Sequence, residues 1–143
     1  MTTAYDDANV FAKILRGEIP AHVVYEDDKT LAFMDVMPAV DGHTLIIPKA
    51  KARNLIDVRP ADLAAVIATT QKIAQAAKTA FAADGITLQQ FSEAAGGQEV
   101  FHLHFHVLPR QAADHVRKMP RPFADQQVLA AHAERLRAAL AAM

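Results

Sequence analysis

The sequence predicts an α+β fold in which helices pack on an antiparallel sheet. Three observations lead there. Short extended segments come in pairs, a long amphipathic helical stretch separates the pairs, and a second helical stretch closes the chain. The order hairpin, helix, hairpin, helix makes neighbouring strands antiparallel and sets the helices on one face of the sheet. At 143 residues the chain forms one domain, 1–143, and buries ~70% of its unfolded surface.

The first helix starts near Asp7 or Asn9. Val10, Phe11, Ile14 and Leu15 recur at helical spacing, and Gly17 stops the run. After Pro20, residues 22–26 are extended, Asp27 and Asp28 turn the chain, and 29–34 form the returning strand. The loop 37–42 leads to a β-branched strand at 43–47, closed by Pro48. Pro60 suits the first turn of a long helix, whose stripe is Leu63, Val66, Ile67, Thr70, Ile73, Ala77 and Phe81. Asp84 and Gly85 end it, with Gly85 as a left-handed cap. Residues 86–91 form a strand, 94–97 a loop of small residues, and 101–108 a strand of strict alternation ended by Pro109. Residues 111–123 are irregular. The last helix, at about 125–142, carries Leu129, His132, Ala133, Leu136 and Leu140 on one face.

Composition excludes several classes of function. With no cysteine, a disulfide framework, a Cys-based zinc finger and a thiol nucleophile are ruled out. A net charge of -1 offers no basic excess for a nucleic-acid backbone. No apolar run approaches the ~20 residues of a membrane span, and the opening MTTAYDDANV does not read as a signal peptide. A soluble cytoplasmic protein with no nucleic-acid or membrane partner is expected.

Seven histidines are present, three of them within five residues. In a strand, Leu103, Phe105 and Val107 share the buried face, while His102, His104 and His106 share the other at ~7 Å intervals. Each imidazole in such a row needs a partner or water. Two chemistries fit. One is metal ligation, giving a zinc-binding protein or metallohydrolase that uses His102, His104 and His106. The other is attack of a neutral imidazole on phosphorus while its neighbours bind anionic oxygens. The small residues Ala94, Ala95, Gly96 and Gly97 let backbone N–H groups approach an anion and favour phosphorus.

The run from Gly97 and Gln98 through Glu99, Val100, Phe101, His102, Leu103, His104, Phe105, His106, Val107, Leu108 and Pro109 to Arg110 resembles the signature of the histidine triad (HIT) family of nucleotide hydrolases and transferases. The stretches 11–14, 18–21, 31–36 and 42–49 are similar to the family's opening helix and first strands. The resemblance covers about 10–110, is strongest to the Hint-like nucleoside phosphoramidase branch, and leaves out the C-terminal helix. Histidine rather than glutamine at the third triad position separates the chain from the hexose-phosphate uridylyltransferases.

The resemblance implies a meander sheet pairing into a homodimer, a purine nucleotide as substrate, and no cofactor or metal. His104 would be the nucleophile on the α-phosphorus, flanked by His102 and His106 and supported by His43. Asp35 would take the ribose hydroxyls. Phe11, Ile14, Phe33 and Val36 would line the base pocket, and Ser92, Gly97, Gln98, Glu99 and Val100 would form the phosphate side. A cationic His102 or His106 would offset charge on phosphorus. Ser92, Glu99 and Lys51 depart from the family's usual asparagine, serine or threonine, and histidine, which widens the choice of substrate. A dinucleoside polyphosphate hydrolase and a weakly catalytic nucleotide-binding protein are the alternatives within the family.

Overall fold

A computed structural model describes residues 4–143. Met1, Thr2 and Thr3, part of the opening segment read above and of the domain 1–143, lie outside the described residues. Asn9 caps α1 (Val10–Leu15), its side-chain oxygen accepting from the Ala12 N–H at 2.9 Å. The hairpin of β1 (Val23–Glu26) and β2 (Thr30–Met34) turns on Asp27, whose carboxylate accepts from the Lys29 and Thr30 N–H groups. Then come β3 (Thr44–Pro48), α2 (Pro60–Ala80), β4 (Gly85–Gln89), β5 (Phe105–Arg110) and α3 (Gln126–Ala141). The sheet has the order β1-β2-β3-β5-β4, with every pair antiparallel.

The pleat sorts the core into two layers. Ala32, Met34, Ile46, Phe105 and Val107 pack under Val66, Ile73 and Ala77 of α2 and Leu129, Ala133 and Leu136 of α3. The alternate residues Leu31, Phe33, Leu45 and Ile47 pack against Phe11 of α1. Helices therefore occupy both faces of the sheet, not one. The six-residue α1 covers only part of its face.

Three local expectations change. Gly85 does not cap α2: the helix stops at Ala80, Ala82 takes φ 48°, the Ala83 N–H closes on the Lys78 carbonyl, and Gly85 opens β4. Ile67 lies on the exposed side of α2 rather than in its buried stripe. The histidine segment enters the sheet only at Phe105 and continues through Pro109 to Arg110. β3 pairs with β5 only over 105–107, so at Pro109 the strand keeps a single neighbour and proline's missing N–H can face the open side. His102 and Leu103 come before the strand, so the three histidines do not form one row. No helix among the described residues is long and apolar enough to cross a membrane.

Candidate active site

The histidines divide by what holds their ring nitrogens. His102 is fully buried at 0% exposure. Its Nε2 lies 2.8 Å from the Pro48 carbonyl, and its Nδ1 contacts the Tyr5 hydroxyl. A carbonyl only accepts, so Nε2 carries the proton and Nδ1 accepts from Tyr5. Both nitrogens are committed away from the central cavity. His104 donates from Nδ1 to the His102 carbonyl at 2.7 Å, which leaves the lone pair on Nε2. Its ring meets Phe11 edge-on at 4.9 Å between centroids and His106 at the same separation.

A second chain of ring bonds runs through His43. Its Nδ1 accepts the Ala39 N–H at 3.0 Å, so its Nε2 carries the proton and donates to His106 Nδ1 at 2.9 Å. His106 then keeps an N–H at Nε2. Burial makes the charged form costly in all four rings. It lowers His104 below the usual histidine range, and takes His102 to about 4, His106 to about 3 and His43 to about 2. The expected cationic His102 or His106 is therefore replaced by four neutral imidazoles in one fixed set of tautomers.

His43, His104 and His106, but not His102, face a cavity of about 600 Å3. Phe11, Ile14, Phe33 and Val36 form an apolar part of its wall, with Asp35 beside them. Asp35 follows β2 directly. Its Oδ1 accepts the Met37 N–H at 2.8 Å, and its Oδ2 lies 3.4 Å from His43 Nε2 and 3.8 Å from the Arg121 guanidinium. Burial raises this carboxyl, partly countered by the Met37 N–H and by Arg121. Gly97, Glu99 and Val100 line the cavity from the loop before β5.

Gln98 and Ser92 are absent from that wall. The Gln98 side chain, 4% exposed, is a clasp. Its oxygen accepts from Asn54 Nδ2 and the Glu93 N–H, and its amide donates to the Arg53 and Val100 carbonyls. Glu93, held at φ 68°, is gripped by Arg53. Gln98 thus fixes the loop that carries Gly97 and Glu99 and has no donor left to offer a phosphate. Ser92 exchanges hydrogen bonds with Gln90. Arg110 pairs with Asp114, and Lys51 forms a surface pair with Asp7.

Several wall residues escape a reading of the sequence. Gln89 and Phe91 come from β4 and the residues just after it, and Phe91 meets His106 edge-on at 5.6 Å. Arg117, Lys118, Met119, Arg121 and Phe123 come from the irregular segment before α3, which has no periodicity to reveal them. Tyr5 is equally hidden, since only the fold brings it to His102.

The metal reading changes as well. The three histidines of the segment do not converge. Asp35, His43 and His106 do bring ligand-type atoms within 4.8 Å of one another. The Ala39 N–H, however, occupies the His43 Nδ1 lone pair and leaves a proton on Nε2. Ligation there would break both the Ala39 bond and the bond to His106, which a metal ion would have to replace.

A five-stranded antiparallel sheet with short helical cover on one face, and imidazoles of His43, His104 and His106 lining a cavity beside a carboxylate, define the class of protein to which the chain belongs. The HIT domain model matches residues 16–113, and the chain belongs to the HIT family. A Hit-like protein from Bartonella henselae, described as involved in cell-cycle regulation and solved with an unknown ligand, superposes with a TM-score of 0.89 at 50% identity, over 95% of this chain and 99% of that one. A Zn-bound histidine triad family protein from Mycobacterium smegmatis superposes with a TM-score of 0.84 at 38% identity, over 94% of each chain. Adenylylsulfatase HINT3 of Arabidopsis thaliana is 40% identical over 105 residues, 73% of this chain and 53% of that protein.

Proposed function

We propose that the protein is a hydrolase or nucleotidyl transferase acting at the α-phosphorus of purine nucleotides that carry a phosphoramidate or phosphoanhydride leaving group. The observation that carries this reading is the His104 ring. Its Nδ1–H is held by the His102 carbonyl, and its Nε2 lone pair is left for attack. In the first displacement Nε2 bonds to phosphorus as the bond to the leaving group breaks, and the leaving group departs with its electron pair, an amine taking up a proton from solvent as it leaves. In the second, water displaces His104 and gives up a proton to solvent, and the ring returns to its starting tautomer with Nδ1–H in place. The His106 Nε2–H would donate to a phosphoryl oxygen, and backbone groups of the loop held by Gln98 would add further donors. Asp35 would accept from the ribose hydroxyls, with the base against Phe11, Ile14, Phe33 and Val36. The named activity of the Arabidopsis relative supports a hydrolase with an anionic leaving group.

Each displacement inverts phosphorus, so a substrate chiral at the α-phosphorus should give a product of retained configuration. Net inversion would mean direct attack by water and would reduce His104 to a base or phosphate ligand. Turnover should also survive exhaustive chelation, since a neutral imidazole needs no ion to become nucleophilic. Loss of turnover restored by zinc alone would revive the metallohydrolase. We also propose a homodimer. β4 ends the sheet and Leu88 on it is exposed, an edge suited to pairing with a second copy. Sedimentation of a single monomeric species would reject it.

A further inference from the structure

The proposed substrate is an anion, yet the cavity's imidazoles are neutral and its two carboxylates, Asp35 and Glu99, repel negative charge. Both His43 nitrogens are hydrogen-bonded, and His106 Nδ1 accepts from His43. A proton added to either ring would displace a bond already made. Positive charge at the cavity comes only from Arg117, Lys118 and Arg121 among its lining residues, all on the segment before α3 and beyond the 16–113 match to the family.

Arg121 is the enclosed one of the two arginines, its side chain only 14% exposed against 49% for Arg117, which bonds the Pro38 carbonyl and pairs with Asp41. Its Nε–H donates to the Met37 carbonyl at 2.6 Å. One terminal nitrogen reaches the Arg117 carbonyl at 3.5 Å, and the other lies 3.8 Å from Asp35 Oδ2, within ion-pair range but beyond a hydrogen bond. A guanidinium has five N–H donors, so several are left over. The surrounding strap is tied down on both sides of Arg121: the Arg117 N–H donates to the Ala39 carbonyl and the Ala124 N–H to the Val36 carbonyl, each at 2.9 Å. Ala39 is also the residue whose N–H sets the His43 tautomer. The cation is thus fixed to the loop that orients the histidines, in a half-enclosed site where charge–charge attraction exceeds its value in water.

We infer that Arg121 is the anion-binding residue of this site, where its free guanidinium N–H groups take an anionic oxygen from the phosphoryl end of the nucleotide, either the α-phosphate or an anionic leaving group. This rests on the nucleotide reading above and adds a specificity device from outside the family-matched region. A planar fork suits phosphate and sulfate oxygens better than an ammonium does.

The test uses the full chain, with Arg121→Gln and Arg121→Lys. Calorimetry gives dissociation constants for AMP and for adenosine, and kinetics give kcat/KM for adenosine 5′-phosphosulfate and for an adenosine phosphoramidate with a neutral amine as leaving group. If the α-phosphate is the ligand, Arg121→Gln weakens AMP about tenfold and spares adenosine. If the leaving group is the ligand, the AMP-to-adenosine ratio holds while the sulfate-to-amine ratio of kcat/KM falls about tenfold. Either result supports the assignment. Two unchanged ratios overturn it, as does equal weakening of AMP and adenosine, which would mean that Arg121 only steadies Asp35. Should the Gln variant fail to fold, the Lys variant must show the same ratio change, reduced to a few-fold. Wild-type protein that binds neither AMP nor adenosine overturns the nucleotide reading and this assignment with it. Unchanged ratios in a protein that does bind them overturn the assignment alone.

Discussion

The two faces of the sheet are built from the same strands, one residue out of phase, and they do opposite things. On one, Ala32, Met34, Ile46, Phe105 and Val107 are sealed under helices of 21 and 16 residues. On the other, Leu31, Phe33, Leu45 and Ile47, with His106 paired opposite Leu45, meet a helix of only six residues, α1, with Ala21, Val23 and Val100 beside it. The uncovered part of that second face is the cavity. Pleat parity therefore separates stability from chemistry, and the length of the covering helix decides which face stays open.

Paired substitutions on the two faces give the largest contrast. His104→Ala should lower turnover by ~10³-fold or more, far beyond what the ~1–3 kcal/mol of stability lost by leaving the His102 carbonyl unpaired would cause. Ile73→Ala, on the sealed face, should cost ~2–5 kcal/mol in denaturant unfolding and leave kcat per folded molecule unchanged. A catalytic defect in Ile73→Ala that persists after correction for the folded fraction would break the separation.

Acid should act through the open face. His43, His102 and His106 are held at about 2, 4 and 3 when folded, against an ordinary value of ~6.5. As pH falls below ~6.5 the unfolded chain takes up protons first, so stability is complete above that pH and is lost progressively toward the folded values. Between pH 7.5 and 5.5 the unfolding free energy measured in urea should fall by on the order of 1 kcal/mol for each of these histidines. A flat profile would mean that the rings protonate without leaving their bonds.

Asp35 should give a smaller effect. AMP should bind about tenfold more tightly than its deoxy analogue, through hydrogen bonds to a charged acceptor, and Asp35→Ala should erase the preference. Equal wild-type affinities would remove Asp35 from the ribose site. Tyr5→Phe strands the buried His102 Nδ1. It should lower unfolding stability by ~1–3 kcal/mol with little change in kcat. A large catalytic loss would move His102 from scaffold into chemistry.

Much of the scaffold was legible in the sequence. Pro60 and a 3.6-residue stripe mark α2, and the alternation of Leu103, Phe105 and Val107 marks their burial. The same alternation misled for His102, because period 2 fixes a face only where the backbone is already in the sheet, and it enters at Phe105. Phe11, Phe33, Asp35 and Glu99 were legible as lining residues through motif resemblance. Gln98 was not legible as a clasp, because its four bonds go to backbone and side chains that no local pattern links. Arg121 was hidden for a similar reason: its contact with Met37 spans 84 residues through an aperiodic segment.

The ring bonds of the site have a consequence for the order of folding. The bond from Tyr5 to His102 spans 97 residues, that from His43 to His106 spans 63, and that from His102 to Pro48 spans 54. None of them can form while the chain is only locally ordered, and closing such long loops is the slow part of assembling a sheet protein. A kinetic species with the β1–β2–β3 meander and α2 in place, but β5 not yet inserted between β3 and β4, would have most of its secondary structure and none of these three long-range ring bonds. Nucleotide affinity during refolding should therefore appear with the last phase, after the far-ultraviolet circular dichroism signal has largely recovered.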